Sequence, residues 1–209
     1  MNKKKVVIVS ACRTAIGSLN KSLKNISAEN LGAAVIKDSI AKTKIEKKEV
    51  DEIILGQVLT GGTGQNPARQ ASIKSGLPVE TPAYVVNQVC GSGLRSIVSG
   101  FQSISSNNSN IIIAGGQENM SLAPHAIHLR DGKKLGDAKL IDTMIQDGLW
   151  DAFNEYHMGM TAENVAEKFQ ITRDEQDHFA LNSQEKALEA QKHNKFEKEI
   201  INIKIKSKK

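Results

Sequence analysis

The stretch "AYVVNQVCGSGLRSIVSGFQSI", residues 83–104, decides the fold. Its first part, 83–89, is rich in valine and reads as a strand. Its last part places Leu94, Ile97, Val98, Phe101 and Ile104 at intervals of three and four, the spacing of a helix. Between them stands "CGSG", so Cys90 sits where a strand ends and a helix begins.

Outward from this junction the same alternation repeats. "KVVIVSA" (5–11), "DEIILGQVL" (51–59) and "NIIIAGG" (110–116) are continuously apolar runs that read as buried strands. "NISAENLGAAVIKDSIAK" (25–42) reads as a helix, with Ser27 as N-cap, Ile26 and Leu31 as a hydrophobic staple, and Leu31, Val35, Ile36 and Ile40 on one face. A short helix is predicted over 67–75, with Asn66 capping, Pro67 in the first turn and Gly76 just past the end. Strands covered by helices on both faces make an α/β layered domain.

The character changes near residue 119. The next forty residues mix turns with isolated apolar residues and show no clear strand. Two helices follow: Ala162, Val165, Ala166 and Phe169 share a face of the first, and Thr172 and Glu175 form a capping box opening the second, which continues through Phe179, Ser183 and Ala187. "EIINIKIKSKK" (199–209) alternates like a last strand. The expected division is a layered domain over 1–119 and a loop-and-helix excursion over 120–209.

Bulk properties narrow the function classes. Apolar and charged shares of 39% and 24% are those of a globular protein, and no apolar run approaches the ~20 residues that cross a bilayer. The N-terminal apolar stretch is too short for a signal peptide, so a cytoplasmic location is expected. The net charge of +5 comes mainly from scattered lysines, not from a basic stripe interleaved with aromatics, which speaks against nucleic-acid binding. Two cysteines, Cys12 and Cys90, give neither a metal-site spacing nor a disulfide framework.

A thiol reacts as thiolate, and a helix N-terminus favours that form. Cys90 immediately precedes such a terminus; Gly91 and Gly93 let a carbonyl approach the backbone, and the turn can aim the Cys90 N–H at an oxyanion. These features suit a nucleophile for acyl transfer, while a small buried hydrophobe is the alternative. Cys12 has no helix start after it and reads as packing. Among His125, His128, His157, His178 and His193, none stands out as the partner of Cys90.

The residues resemble the thiolases, most closely the branch of acetyl-CoA acetyltransferases. The resemblance rests on "VIVSACRTAIGS", "GQNPARQAS", "NQVCGSGLRSI", "AGGQENMS", "HLRDGKKLGDAKLIDTMIQDGL" and "YHMGMTAENVA", in family order along nearly the whole chain. Ala15 stands where the first motif usually has proline. The resemblance implies a thiolase-like layered N-terminal domain, a mixed sheet between helices, with an inserted loop subdomain.

It implies a Claisen condensation of two acetyl-CoA molecules to acetoacetyl-CoA, and its reverse, through an acetyl group held on Cys90. CoA thioesters are then substrates, and neither a cofactor nor a metal is expected. Val89 and Met158 match positions bordering the acyl pocket, and Leu149, His157 and Met158 match positions along pantetheine. Residues 126–140 resemble a loop that joins dimers into tetramers, so a homo-oligomer is expected. The family's activating histidine, second oxyanion-hole asparagine and proton-transferring cysteine belong to motifs absent from these residues. The expectation is an N-terminal part, whether a truncated product, one polypeptide of a split enzyme or a partial sequence, that is inactive alone; its expected partner is another copy of itself or a complementing C-terminal half. The alternatives are a non-catalytic scaffold subunit, against which Cys90 in its glycine-serine-glycine turn argues, and a ketoacyl-synthase-like enzyme, against which "YHMGMTAENVA" argues.

Overall fold

The computed structural model of the chain describes residues 5–205. Helix α1 (Ala28–Ala41) leads through a 3-10 turn (Lys47–Glu49) into β1 (Glu52–Gly56), α2 (Pro67–Lys74), β2 (Ala83–Val86), α3 (Ser92–Ser105) and β3 (Ile112–Gly116). The three strands form a parallel sheet in the order β2-β1-β3. Ile53 pairs with Ala83 on one side and with Ile113 on the other. Where a mixed sheet was expected, these described strands all run one way.

Strand order explains the layering. The β1–α2–β2 crossover moves one way across the sheet and β2–α3–β3 moves back past β1. Because such crossovers are right-handed, α2 and α3 must lie on opposite faces. Ile53 and Leu55 accordingly join Ile36 of α1, Ala68 and Ala71 of α2, Val50 and Leu77 in the buried core. Ile54, one residue out of phase, is equally buried beneath the other face.

The local signals for α2 hold. Asn66, at φ +38°, accepts the Arg69 N–H at 3.1 Å, and Gly76 takes φ +82° just past the helix. For α1, Ser27 does occupy the N-cap, but its hydroxyl donates to Glu29 instead of accepting a backbone N–H. Glu29 in turn meets Lys74 Nζ at 3.0 Å, which ties α1 to α2. Burial pushes the Glu29 carboxyl up, but the Ser27 and Lys74 hydrogen bonds outweigh it and hold it below the usual glutamate range.

Helix α3 buries the face that its sequence makes least apolar. Ser92, Ser96 and Gly100 face the sheet, while Leu94, Ile97, Val98 and Phe101 are exposed. Small residues allow the close approach: a β-carbon on Gly100 would lie 3.2 Å from Ile112 Cγ2. The fully buried Ser96 hydroxyl is within hydrogen-bond distance of two carbonyls, Gly93 O at 2.6 Å and Gly115 O at 2.7 Å.

Two predicted strands are corrected. Residues 5–11 form no ladder, and Val7, Ile8 and Val9 are exposed, with no described strand beside them. The described part of 199–209 contributes only an isolated parallel bridge, Arg13 to Ile200. Its final residues, 206–209, lie outside the described residues, as do residues 1–4.

The region after residue 119 does contain strands, each two residues long: β4 (His125–Ala126) with β5 (Ile141–Asp142), and β6 (Trp150–Asp151) with β7 (Tyr156–His157), both antiparallel. Pairs this short leave no periodicity for a sequence to display. Helices α4 (Thr143–Gly148), α5 (Met158–Lys168) and α6 (Arg173–Lys192) are the remaining helices of the described residues. The Thr172 capping box forms as predicted: the Thr172 N–H donates to Glu175 Oε2 at 2.7 Å, and Thr172 Oγ accepts the Glu175 N–H at 3.2 Å. The apolar faces read for these helices are largely exposed, including Val165, Phe169 and Phe179. Among the described residues no helix is long and apolar enough to cross a membrane.

Candidate active site

The carboxyl ends of parallel strands are where α/β sheets gather ligands. Here β2 ends at Val86, and the chain turns into α3 within five residues. The turn is tightly specified. Asn87 Oδ1 accepts the Val89 N–H at 2.9 Å, and the Gly91 and Ser92 N–H groups donate to the Gln88 and Val89 carbonyls, each at 3.0 Å. Ser92 Oγ accepts the Gln88 N–H at 2.8 Å and donates to the Val89 carbonyl at 2.6 Å.

Val89 is held at φ +48°, a conformation that a β-branched residue adopts only under compulsion. Cys90, the next residue, is a free and exposed cysteine. Gly91 takes the N-cap position of α3, so the positive end of that helix points toward the turn.

Cys90 opens onto a cavity of about 460 Å³ at the ends of β1 and β3. Its walls include Val58, Leu59, Val89, Met120 and Leu149, a largely apolar lining. Three of the sequence-predicted site residues, Cys90, Val89 and Leu149, therefore meet. His157 and Met158 do not line it but stand beside its Leu149 edge: the Met158 N–H donates to the Leu149 carbonyl at 2.8 Å, and His157 pairs with Trp150. His157 Nδ1 accepts the Gly159 N–H at 2.9 Å as the N-cap of α5, so its proton is on Nε2 when neutral.

The other cysteine is differently placed. Cys12 Sγ donates to the Val35 carbonyl at 3.2 Å, and burial, with nearby Asp38, pushes its thiol up. It matches the packing role expected of it.

One cavity residue escaped the sequence reading. Glu118, two residues past β3, accepts the Val58 and Leu59 N–H groups on Oε2, at 2.8 and 3.2 Å. Its Oε1 is buried without a partner. Burial raises its carboxyl above the usual glutamate range, against the pull of the backbone N–H donors at Val58 and Leu59. Cys90 and Glu118 are the two ionisable side chains among the described residues lining the cavity. The available signal was position: an acid two residues after an apolar run that ends in two glycines lies just past a strand's carboxyl end.

Comparison with known proteins adds the following. The family described as "Thiolase, N-terminal domain" matches residues 6–209. An acetyl-CoA acetyltransferase of Paracoccus denitrificans is 58% identical over 205 residues, covering 98% of this chain and 52% of the relative. One from Rhizobium meliloti is 56% identical over 209 residues, covering 100% of this chain and 53% of the relative. A rat protein named "Acetyl-CoA acetyltransferase, cytosolic" is 50% identical over 204 residues, covering 98% and 51%. The chain thus spans about half the length of the curated relatives it matches.

Proposed function

Since this chain belongs to the thiolase family through its N-terminal domain, we propose that it provides the acyl-accepting part of an acetyl-CoA C-acetyltransferase. The observation that carries this is the exposed Cys90 thiol on a strained turn at the start of α3, opening onto an apolar cavity.

In the proposed reaction Cys90 Sγ attacks the carbonyl carbon of acetyl-CoA. The bond from that carbon to the CoA sulfur breaks, CoA leaves as the thiol, and an acetyl thioester remains on Cys90. A second acetyl-CoA gives up an α-proton, and its carbanion attacks the acetyl carbon. The bond to Cys90 breaks, acetoacetyl-CoA forms, and the thiol recovers its proton. The Cys90 backbone N–H donates to the oxyanion of each tetrahedral intermediate. Val89 and Leu149 bound the acyl group, and His157 and Met158 follow the pantetheine arm from the neighbouring edge. CoA thioesters are the substrates, and the proposal calls for no further cofactor.

Turnover in this proposal needs the second half of the family's fold, on the same polypeptide or another. Supporting this, Leu94, Ile97, Val98 and Phe101 form an exposed apolar stripe directly behind the Cys90 turn, a surface that a further layer would cover. Of the described residues, those up to 119 act as the layered part and those from 120 onward as the excursion that carries the pantetheine edge and the loop for oligomer assembly. The same family reading supports the proposal of a cytoplasmic homo-oligomer, a dimer or a tetramer.

Iodoacetamide tests it. Alkylation of Cys90 faster than of Cys12, and slowed by acetyl-CoA or CoA, supports an acylation site. Equal and unprotected labelling of both cysteines contradicts it and favours the scaffold alternative.

A further inference from the structure

The strap that follows β1, Gln57–Leu59, forms one wall of the cavity, and side chains pin it at several points. The Val58 and Leu59 N–H groups both donate to Glu118 Oε2. The Leu59 carbonyl accepts from Gln57 Nε2 at 3.1 Å, and Gln57 Oε1 accepts from Gln117 Nε2 at 2.8 Å. Residues just past β3 therefore hold the strap that leaves β1.

The strap in turn sets where the cavity ends. Leu59 is buried, and its Cδ2 lies 3.7 Å from where a β-carbon on Gly148 would stand. It fills the gap between the sheet and the end of α4, next to Leu149. Val58 and Leu59 are apolar, so nothing in their own side chains fixes this position by hydrogen bonding.

Resting on the acyl-transfer reading above, we infer that Glu118 is a specificity-determining positioning residue: it latches the Gln57–Leu59 strap and thereby limits the length of acyl chain that Cys90 can take. The latch needs an acceptor of the right reach, not a charge. Oε2 makes both contacts, and the other oxygen has no partner. An amide at this position offers the same acceptor; an alanine offers none, and the strap then yields to a longer chain.

The test compares methyl and hexyl methanethiosulfonate as thiol probes on the folded chain. In each case the thiolate attacks the sulfenyl sulfur, methanesulfinate leaves, and a mixed disulfide remains. Rates at Cys90 and Cys12 are read separately by peptide mass spectrometry, with Cys12 as internal reference. Glu118→Ala is expected to raise the hexyl-to-methyl rate ratio at Cys90 about tenfold, without moving the ratio at Cys12. Glu118→Gln is expected to stay within about twofold of the parent chain at both sites.

An unchanged ratio at Cys90 in a folded Glu118→Ala variant overturns the inference, as does a Glu118→Gln variant that behaves like Glu118→Ala. Where Glu118→Ala does not fold, Glu118→Asp, a methylene short of both N–H groups, is held to the expectation for Glu118→Ala. A failure of the acyl-transfer proposal shows separately, as lack of protection of Cys90 by CoA thioesters, because the length ratio does not depend on turnover.

Discussion

Gly56, the last residue of β1, lies directly beneath Ser92, the first residue of α3: a β-carbon on Gly56 would fall 2.6 Å from the Ser92 carbonyl oxygen and 2.5 Å from Gly93 N. Backbone occupies the space that any side chain would need. The turn presenting Cys90 is thus seated on the sheet by the absence of one carbon atom.

Gly56→Ala should therefore destabilise the chain by about 2–4 kcal/mol, since neither the strand nor the helix start can move freely. Urea unfolding measures the loss. The same variant should show altered Cys90 alkylation with unchanged Cys12 alkylation, because Cys12 contacts α1 through Val35 and not this junction. A wild-type unfolding midpoint would remove the close contact from the account.

The polarity of α3 gives a second prediction. Leu94→Ser with Phe101→Ser removes apolar surface that is already solvent-exposed, 68% and 55% for the two residues. The stability cost should be below about 0.5 kcal/mol, and binding of a hydrophobic dye should fall. Ser96→Leu, on the nominally polar side, should cost about 1–3 kcal/mol by overpacking the close helix–sheet contact and by losing the hydroxyl's hydrogen bond to the Gly115 carbonyl. Thermal unfolding of the two variants side by side gives the answer; the reverse order of stabilities contradicts the packing described.

That inversion marks the limit of what the sequence discloses. Strands β1, β2 and β3 and helices α1, α2 and α3 were legible because continuous apolar runs and a 3.6-residue repeat report local structure. Asn66 and Thr172 were legible as caps because their hydrogen bonds reach only three residues. Periodicity shows that α3 has two faces, but not which of them meets the sheet. Ser96 and Gly100 win that contact through close approach, a property of the assembled layers. Residues 5–11 have strand composition without a described strand to pair with. At the site, the location of Cys90 and its turn could be read from the chain. The latch by Glu118 could not, since its partners at Val58 and Leu59 are sixty residues away.

Backbone strain at Val89 yields a third prediction. A β-branched residue at φ +48° costs on the order of 1–2 kcal/mol, which glycine would not incur. Val89→Gly should leave the chain at least as stable in thermal unfolding, the strain relief offsetting the greater flexibility of the unfolded chain. Cys90 labelling should become slower or less protected by CoA thioesters as the turn loosens. A large loss of stability would mean that Val89 is held there by packing that its exposure does not suggest.

The Glu29–Lys74 contact predicts a pH dependence. The folded-state pKa of Glu29 is below its ordinary value, so its contribution is present above the ordinary glutamate range and is lost as pH falls through the lower, folded value. Glu29→Gln should cost about 1–2 kcal/mol at neutral pH. Urea unfolding at a series of pH values should show the parent and variant converging in acid. A gap that stays constant or widens as pH falls contradicts the assignment.

The sulfur at residue 90 is measured most directly by acetyl transfer. The chain, assembled with the second half of the family's fold, is incubated with acetyl-CoA and its peptides are mapped by mass spectrometry. One acetyl group is expected, on the peptide containing Cys90, released by hydroxylamine and missing in Cys90→Ala, which should also lose condensation activity. Acetylation confined to Cys12, or condensation undiminished in Cys90→Ala, would contradict the account at its centre.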